Sequence, residues 1–134
     1  MAFLEGFSNE ERSLLVSLPY RTGLWVSSCD LSGGSSADNK ELDALEKTIQ
    51  VFAQGMYESA LIHEILAETF LQKAEWRNWG RNLDAVPADC RKAVQILKGR
   101  VSPRDVEAFR RILMQIGLEV ARAFREYDKN EPWH

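Results

Sequence analysis

His63 is the side chain in this sequence best suited to acid–base chemistry near neutral pH. Glu64 and Glu68 lie on the same predicted helix, so a small enzyme that uses His63 with nearby acids is one interpretation. Both acids point away from the apolar stripe of that helix, and the alternative is a half-buried histidine bonded to a neighbour. A catalytic zinc needs three protein ligands, and a di-iron bundle needs two E-x-x-H pairs. The only other histidine is His134, and Ala60 stands three residues before His63, so we assign no catalytic residue.

The twelve residues from Asp30 to Glu41 are the best candidate for binding a metal ion. They lie between two predicted helices and have the length and acidic ends of an EF-hand calcium loop. Asp30, Asp38 and Glu41 fall at ligand positions 1, 9 and 12, so a divalent cation such as calcium would bind through them and main-chain oxygens. Ser35 replaces the required glycine at position 6, and Gly34 at position 5 has no side chain. The alternative is a solvated loop in which Asp38 and Glu41 only cap the next helix. No other cofactor is expected.

Two turns between predicted helices share a further pattern. Residues 29–34 read C-D-L-S-G-G, with Glu41 opening the next helix, and residues 98–105 read K-G-R-V-S-P-R-D. They resemble the turns of the TerB-like (tellurite-resistance) all-α family, which run roughly D-G-x-[IV]-[ST]-x-x-E in duplicated helical halves. The resemblance spans about residues 10–125 and implies a bacterial, cytoplasmic, non-catalytic module that is stress-associated and binds metal. The first loop is longer than the family's turn, and Lys98 replaces its Asp, which puts a second metal site in doubt.

Capping residues and apolar periodicity predict five helices and no strand. Ser8 begins one capping box, and Ser102 with Asp105 forms another. Pro19 lies inside the first helix and removes a backbone donor there, so we expect a kink or break at Leu18–Tyr20. The predicted helices run from Asn9 to about Cys29, from about residue 39 to 55, from about Tyr57 to Trp76, from Pro87 to Lys98, and from Pro103 to about Tyr127.

Length and composition predict one bundle-like helical domain over residues 1–134, with a polar tail at 128–134. Hydrophobic residues make up 45% of the chain and charged residues 28%, which is ordinary for a globular protein. The two cysteines, Cys29 and Cys90, form no disulfide framework or CxxC motif, which favours free thiols in a cytoplasmic protein. No apolar run reaches the roughly 18 residues of a membrane span, so we expect no membrane partner.

Charge is unevenly distributed, with a net −6 over residues 1–67 and +3 over residues 68–134. Nine bases lie between Arg91 and Arg125, so a nucleic-acid-binding domain acting through the basic C-terminal half is an alternative function. Acids are interspersed among these bases, and the isoelectric point near 5.4 argues against nucleic acid as the main ligand.

The last predicted helix has apolar residues on two sides. Its main stripe contains Phe109 and its neighbours, whereas Met114, Leu118 and Ala121 lie on another side among arginines. A helix that is apolar on two sides is either central in a bundle or half covered by a partner. We therefore expect a binding or scaffold module that docks a protein partner or forms a homodimer through this helix. The alternative is that the helix from Pro87 to Lys98 covers these residues within one chain.

Overall fold

The computed structural model describes residues 3–30 and 39–129, with side chains described over residues 3–27 and 42–123. Every regular element in these ranges is a helix, which confirms the all-α class. The α-helices are α1 (Asn9–Asp30), α2 (Asn39–Ala53), α3 (Ala60–Leu71), α4 (Trp76–Trp79), α5 (Val86–Leu97) and α6 (Pro103–Lys129). Short 3-10 helices occupy Phe3–Gly6, Lys73–Glu75 and Leu83–Ala85. Across the described part of the chain, no helix is long and apolar enough to span a membrane.

The predicted count of five helices is wrong, because the described chain contains six α-helices. The predicted helix over Tyr57–Trp76 begins later and ends earlier than expected. Ser59 is the N-cap of α3, and its side chain accepts a hydrogen bond from the backbone N–H of Ile62 at 3.3 Å. This cap fixes the first helical residue at Ala60.

Trp76 explains why the chain turns after α3. Its indole ring stacks on Tyr20 with ring centroids 4.6 Å apart, and its Nε1 donates to the Thr69 carbonyl at 2.9 Å. These contacts bring the segment after α3 onto α1 and produce the separate short helix α4. Residues 77–86, predicted to be a loop, therefore contain most of α4 and a 3-10 turn.

α1 is the central helix and contacts each of α2 to α6. Residues 15–21 are all buried, and the helix continues through Pro19, so the alternative of a break is wrong. The kink at Pro19 stays a prediction. Pro19 has no N–H to bond the carbonyl one turn back, and the Thr69 hydroxyl lies 2.6 Å from the adjacent Val16 carbonyl. Packing on all sides stabilises a turn that an isolated helix would lose.

The N-terminal ends of α1 and α6 are capped in different ways. At α1, Ser8 and Glu11 form the predicted reciprocal box: each accepts a hydrogen bond from the other's backbone N–H. At α6, Ser102 Oγ accepts from the Asp105 N–H at 3.2 Å, as predicted. The Asp105 carboxylate, however, accepts from Ser59 Oγ at 2.8 Å. The predicted box is therefore half formed, and the Asp105 carboxylate joins the beginning of α6 to that of α3.

The inner face of α6 packs against α1 and α2. Its buried residues are Val106, Phe109, Ile112, Leu113, Ile116 and Val120. The three helices meet at Gly23, where an added Cβ would lie 2.6 Å from Leu45 Cδ1 and 3.3 Å from Val120 Cγ2. Only glycine leaves room for this approach, so Gly23 sets the distance between α1 and the pair formed by α2 and α6.

Candidate protein-binding surface

The outer face of α6 lies opposite its buried stripe. We define the outer row by five exposed residues spaced 4, 3, 4 and 4 apart: Glu107, Arg111, Met114, Leu118 and Arg122. At about 100° per residue, these side chains span an arc of only about 80°. The two apolar members are at the centre of the row, with Met114 67% exposed and Leu118 61% exposed.

This exposure excludes coverage of the second apolar side by another helix of the described chain. α5 packs against α1 and α6, but it leaves Met114 and Leu118 open to solvent. The alternative that the helix from Pro87 to Lys98 covers them is therefore wrong. Ala121, the third residue expected on this side, is half-buried.

A groove between α2 and α6 extends the apolar surface beyond the outer row. It encloses about 440 Å³. Its lining residues are Lys47, Thr48, Val51, Phe52, Gln115, Leu118, Glu119 and Arg122. Val51 is 67% exposed on the α2 wall, and Phe52 is partly buried against the core. The groove therefore has an apolar centre with charged residues at its edges.

A second groove adjoins the first at Gln115, which lines both. It lies between α6 and the segment that joins α2 to α3, and it encloses about 990 Å³. Met56 on this segment is 94% exposed, and Arg111 of the outer row is part of the lining. Three of the large hydrophobic side chains exposed in the described chain thus line the two adjoining grooves, namely Val51, Met56 and Leu118, and Met114 lies one turn before Leu118 on the outer row.

Charged residues on the outer side of α6 include both signs and are only loosely paired. Arg122 lies 3.2 Å from Glu119, and Arg110 lies 4.0 Å from Glu107. All four side chains are well exposed, so each pair contributes at most about 1 kcal/mol. A docking partner can exchange these contacts for its own at little cost.

His63 lies next to the second groove and holds the segment before α3 in place. The backbone N–H of Tyr57 donates to His63 Nε2 at 2.9 Å, and the two rings meet edge to face with centroids 5.2 Å apart. The Tyr57 carbonyl is 3.0 Å from the same nitrogen, so the ring tautomer decides which contact is a hydrogen bond. This arrangement matches the interpretation of His63 as half-buried and bonded to a neighbour.

The acids suggested as catalytic partners of His63 make other contacts. Glu64 accepts hydrogen bonds from the backbone N–H groups of Phe3 at 2.8 Å and Leu4 at 3.4 Å. Glu68 accepts from the side chain of Gln72 on the next turn at 3.0 Å. Each acid thus serves local structure, with Glu64 attaching the N-terminal 3-10 helix to α3.

The predicted metal site cannot be placed. Asp38 lies outside the described residues, and the side chains of Asp30 and Glu41 are also outside the described set. Asp30 is the last residue of α1. Among the residues that are described, no group of three or more His, Cys, Asp or Glu side chains is arranged to hold a metal ion. Calcium binding through Asp30, Asp38 and Glu41 stays a prediction, which calorimetric titration of wild type and Asp30→Ala tests.

The basic stretch is partly neutralised by acids from α1 and from the segment that joins α2 to α3. Arg100 lies 2.7 Å from Glu11 and also sits over the Phe7 ring, and Arg104 lies 3.5 Å from Glu58. The Ser8 backbone N–H, and then Arg100, lower the pKa of Glu11. Such pairs weaken any continuous positive potential, because their fields largely cancel at the distance of a phosphate backbone.

No sequence pattern indicates the ion pair between Arg21 and Asp89. Arg21 is 7% exposed, and its Nη2 lies 2.8 Å from Asp89 Oδ2 and 3.1 Å from the Asn82 carbonyl. The pair joins α1 to α5, and Arg21 lines an open groove together with Trp79. The burial of Arg21 could not be predicted from the local sequence, since its partner Asp89 is 68 residues away.

Cys90 faces Thr22 across the interface of α5 with α1, with Sγ and Oγ1 3.8 Å apart. Burial raises the pKa of the Cys90 thiol. The neutral thiol is therefore favoured at neutral pH, and its environment is that of a packed side chain rather than a nucleophile. The Cys29 side chain lies outside the described set.

No protein-family model matches the chain, and no curated protein or solved structure matches it. The feature that bears most directly on function is therefore the exposed apolar surface of α2 and α6.

Proposed function

We propose that this chain is a non-catalytic helical binding module that docks an amphipathic α-helix on the surface formed by α2 and α6. The observation that supports the proposal is the exposure of Met114 and Leu118 at the centre of the outer row, beside Val51. Solvent-exposed apolar side chains that cluster in one place mark protein interaction sites more often than scattered ones do.

The shape of the surface favours a helix as the occupant. The outer row extends over 15 residue steps from Glu107 to Arg122, or about 22 Å at 1.5 Å per residue. A helix presents an apolar stripe of comparable length and width, and groove-binding helices use anchor residues at such spacings. The flexible side chains of Met56 and Met114 adapt to a partner at small energetic cost.

The exposed charges favour a partner with both acids and bases beside its apolar stripe. Lys47, Arg111 and Arg122 provide positive charge around the apolar centre. Glu107 and Glu119 provide negative charge along the same side of α6. Complementary charges at the rim set the orientation of a partner more than they add affinity.

An enzymatic role for His63 is the weaker hypothesis, because the ring is engaged by the Tyr57 backbone and both nearby acids make structural contacts. Metal binding by the Asp30–Glu41 loop and the stress association implied by the TerB-like resemblance are further proposals. Neither depends on the α2–α6 surface.

The test is a titration of the isotopically labelled chain with a synthetic amphipathic helix. The probe is a peptide of about 18 residues made of Leu, Glu and Lys, long enough to cover the outer row. We expect saturable chemical-shift changes concentrated at residues 47–52 and 107–122. The matched control is a peptide of the same composition whose order is scrambled so that no apolar stripe forms.

Two variants localise the effect. Leu118→Glu places a charge at the centre of the surface and should abolish the shift changes. Leu71→Glu alters a leucine that is 74% exposed at the end of α3 and does not line the groove, so it should bind as wild type does. Shift changes that are absent, that are spread over the whole chain, or that persist in Leu118→Glu would contradict the proposal.

A further inference from the structure

We infer that the helix docked on this surface is α6 of a second copy of the chain, antiparallel to the first about a twofold axis beside Met114. This inference rests on the proposed function and names its partner. Its support is the order of charges along the outer row. When two copies of the row run antiparallel, the acid at one end meets the base at the other end, whereas like charges meet when the copies run parallel.

The outer row begins with an acid and ends with a base, with Met114 near its middle. In an antiparallel pair, a twofold axis that passes between residues 114 and 115 places Glu107 opposite Arg122 of the second copy. The same axis places Arg111 alongside Leu118 of the second copy and brings the two Met114 side chains together. Symmetry repeats each contact, so the interface contains two Glu–Arg pairs around an apolar centre.

The loose pairs within each helix do not oppose this register. Glu107 lies 4.0 Å from Arg110 and Arg122 lies 3.2 Å from Glu119. In the dimer, Glu107 and Arg122 exchange these contacts for each other across the axis. Because those pairs are exposed, replacing them costs little.

A parallel arrangement gives the opposite result. Each residue would then lie near its own counterpart, so that Glu107 faces Glu107, Arg111 faces Arg111 and Arg122 faces Arg122. Like charges facing each other in this way oppose association. The sequence of charges therefore selects the antiparallel direction, as charges beside an apolar seam do in paired helices.

The position of Arg111 is also compatible with the antiparallel arrangement. Its aliphatic stem can lie over Leu118 of the second copy while its guanidinium stays in water. The adjoining groove then places Val51 next to the edge of the partner helix. A twofold contact of this kind is also the commonest form of protein oligomer.

The test is sedimentation equilibrium of the chain alone, over about 1–500 µM, which covers weak and moderate dimers. Wild type should approach twice the monomer mass as the concentration rises. Leu118→Glu should remain monomeric throughout, and Leu71→Glu should associate as wild type does. Far-ultraviolet circular dichroism of each variant checks that the helical fold is retained.

A charge exchange tests the direction of packing. Glu107→Arg alone creates two Arg–Arg contacts in the antiparallel dimer and should weaken association at least tenfold. Adding Arg122→Glu to the same chain restores both pairs with reversed signs and should recover most of the loss. In a parallel dimer the double variant would still place like charges together and would show no recovery.

The outcomes separate this inference from the proposed function. A wild type that is monomeric at all concentrations, but still binds the amphipathic peptide, overturns the dimer and leaves the helix-binding function in place. A dimer that Leu118→Glu leaves intact overturns the inference, because its interface lies elsewhere. Dissociation by Leu118→Glu without recovery in the double charge variant overturns the antiparallel direction. Absence of both peptide binding and self-association overturns both proposals.

Discussion

The two faces of α6 have similar apolar residues and different environments. On the inner face, Phe109 and Ile116 are fully buried against α1 and α2. On the outer face, Met114 and Leu118 are about two-thirds exposed. Apolar character alone therefore does not distinguish a core position from a binding position in this helix. The difference is whether another part of the same chain covers the residue.

The substitution with the largest expected effect on stability is at Phe109, on the inner face of α6. Phe109→Ala removes a fully buried ring from the middle of the inner face, and we expect a loss of about 3–5 kcal/mol in the free energy of unfolding. Denaturant unfolding measures this loss. A loss below about 1 kcal/mol would show that the inner face is less tightly packed than the structure indicates.

Removing a charge from the interior should lower the free energy of unfolding more than removing one from the surface. Arg21→Met leaves Asp89 without its partner in the interface of α1 with α5, and we expect a loss of about 2–3 kcal/mol. This is below the roughly 3–5 kcal/mol for a fully buried pair, because the Asp89 side chain is 26% exposed. The matched exterior change, Arg122→Met, should alter monomer stability by less than about 1 kcal/mol. Equal losses from both variants would contradict the distinction.

Gly23→Ala tests how closely the helices approach on the inner side. The new methyl group must displace Leu45 and Val120, and overpacking of this kind costs about 1–3 kcal/mol. The higher helix propensity of alanine offsets up to about 1 kcal/mol of that cost. Gly117→Ala is the matched control on α6, where a Cβ would be 3.2 Å from a single methyl group, Val26 Cγ2. Thermal unfolding should show the larger decrease for Gly23→Ala.

The smallest effect is expected for Leu118→Ala on the outer face. In dilute solution, which favours the monomer, the free energy of unfolding should change by less than about 0.5 kcal/mol, because the side chain is already in water. The dimer proposed above would stabilise the folded wild type at high concentration and raise its melting temperature, and the variant should lose this increase. A large loss in dilute solution would mean that Leu118 is covered within the chain.

Much of the fold could be predicted from the sequence, because its signals act within one or two helical turns. The Ser8–Glu11 box placed the beginning of α1, and the predicted end of the fourth helix at Lys98 matches the C-cap of α5, after which Gly99 has a positive φ of 91°. The apolar period of α6 identified Phe109 as a core residue. The division of the segment after Tyr57 could not be predicted, since it depends on Trp76 stacking against Tyr20, 56 residues earlier.

For the candidate surface, too, some features follow from the local sequence and others follow only from how the helices pack. The sequence by itself determined that α6 has two apolar sides and that both acids and bases lie along the second one, because both features follow from helical periodicity. Only the tertiary structure decided that the second side is open, since α5 could have covered Met114 and Leu118 and instead packs elsewhere. It also decided that Arg21 pairs with Asp89 and that Asp105 bonds Ser59. Which distant groups meet depends on how all six helices pack together, and no local pattern encodes that packing.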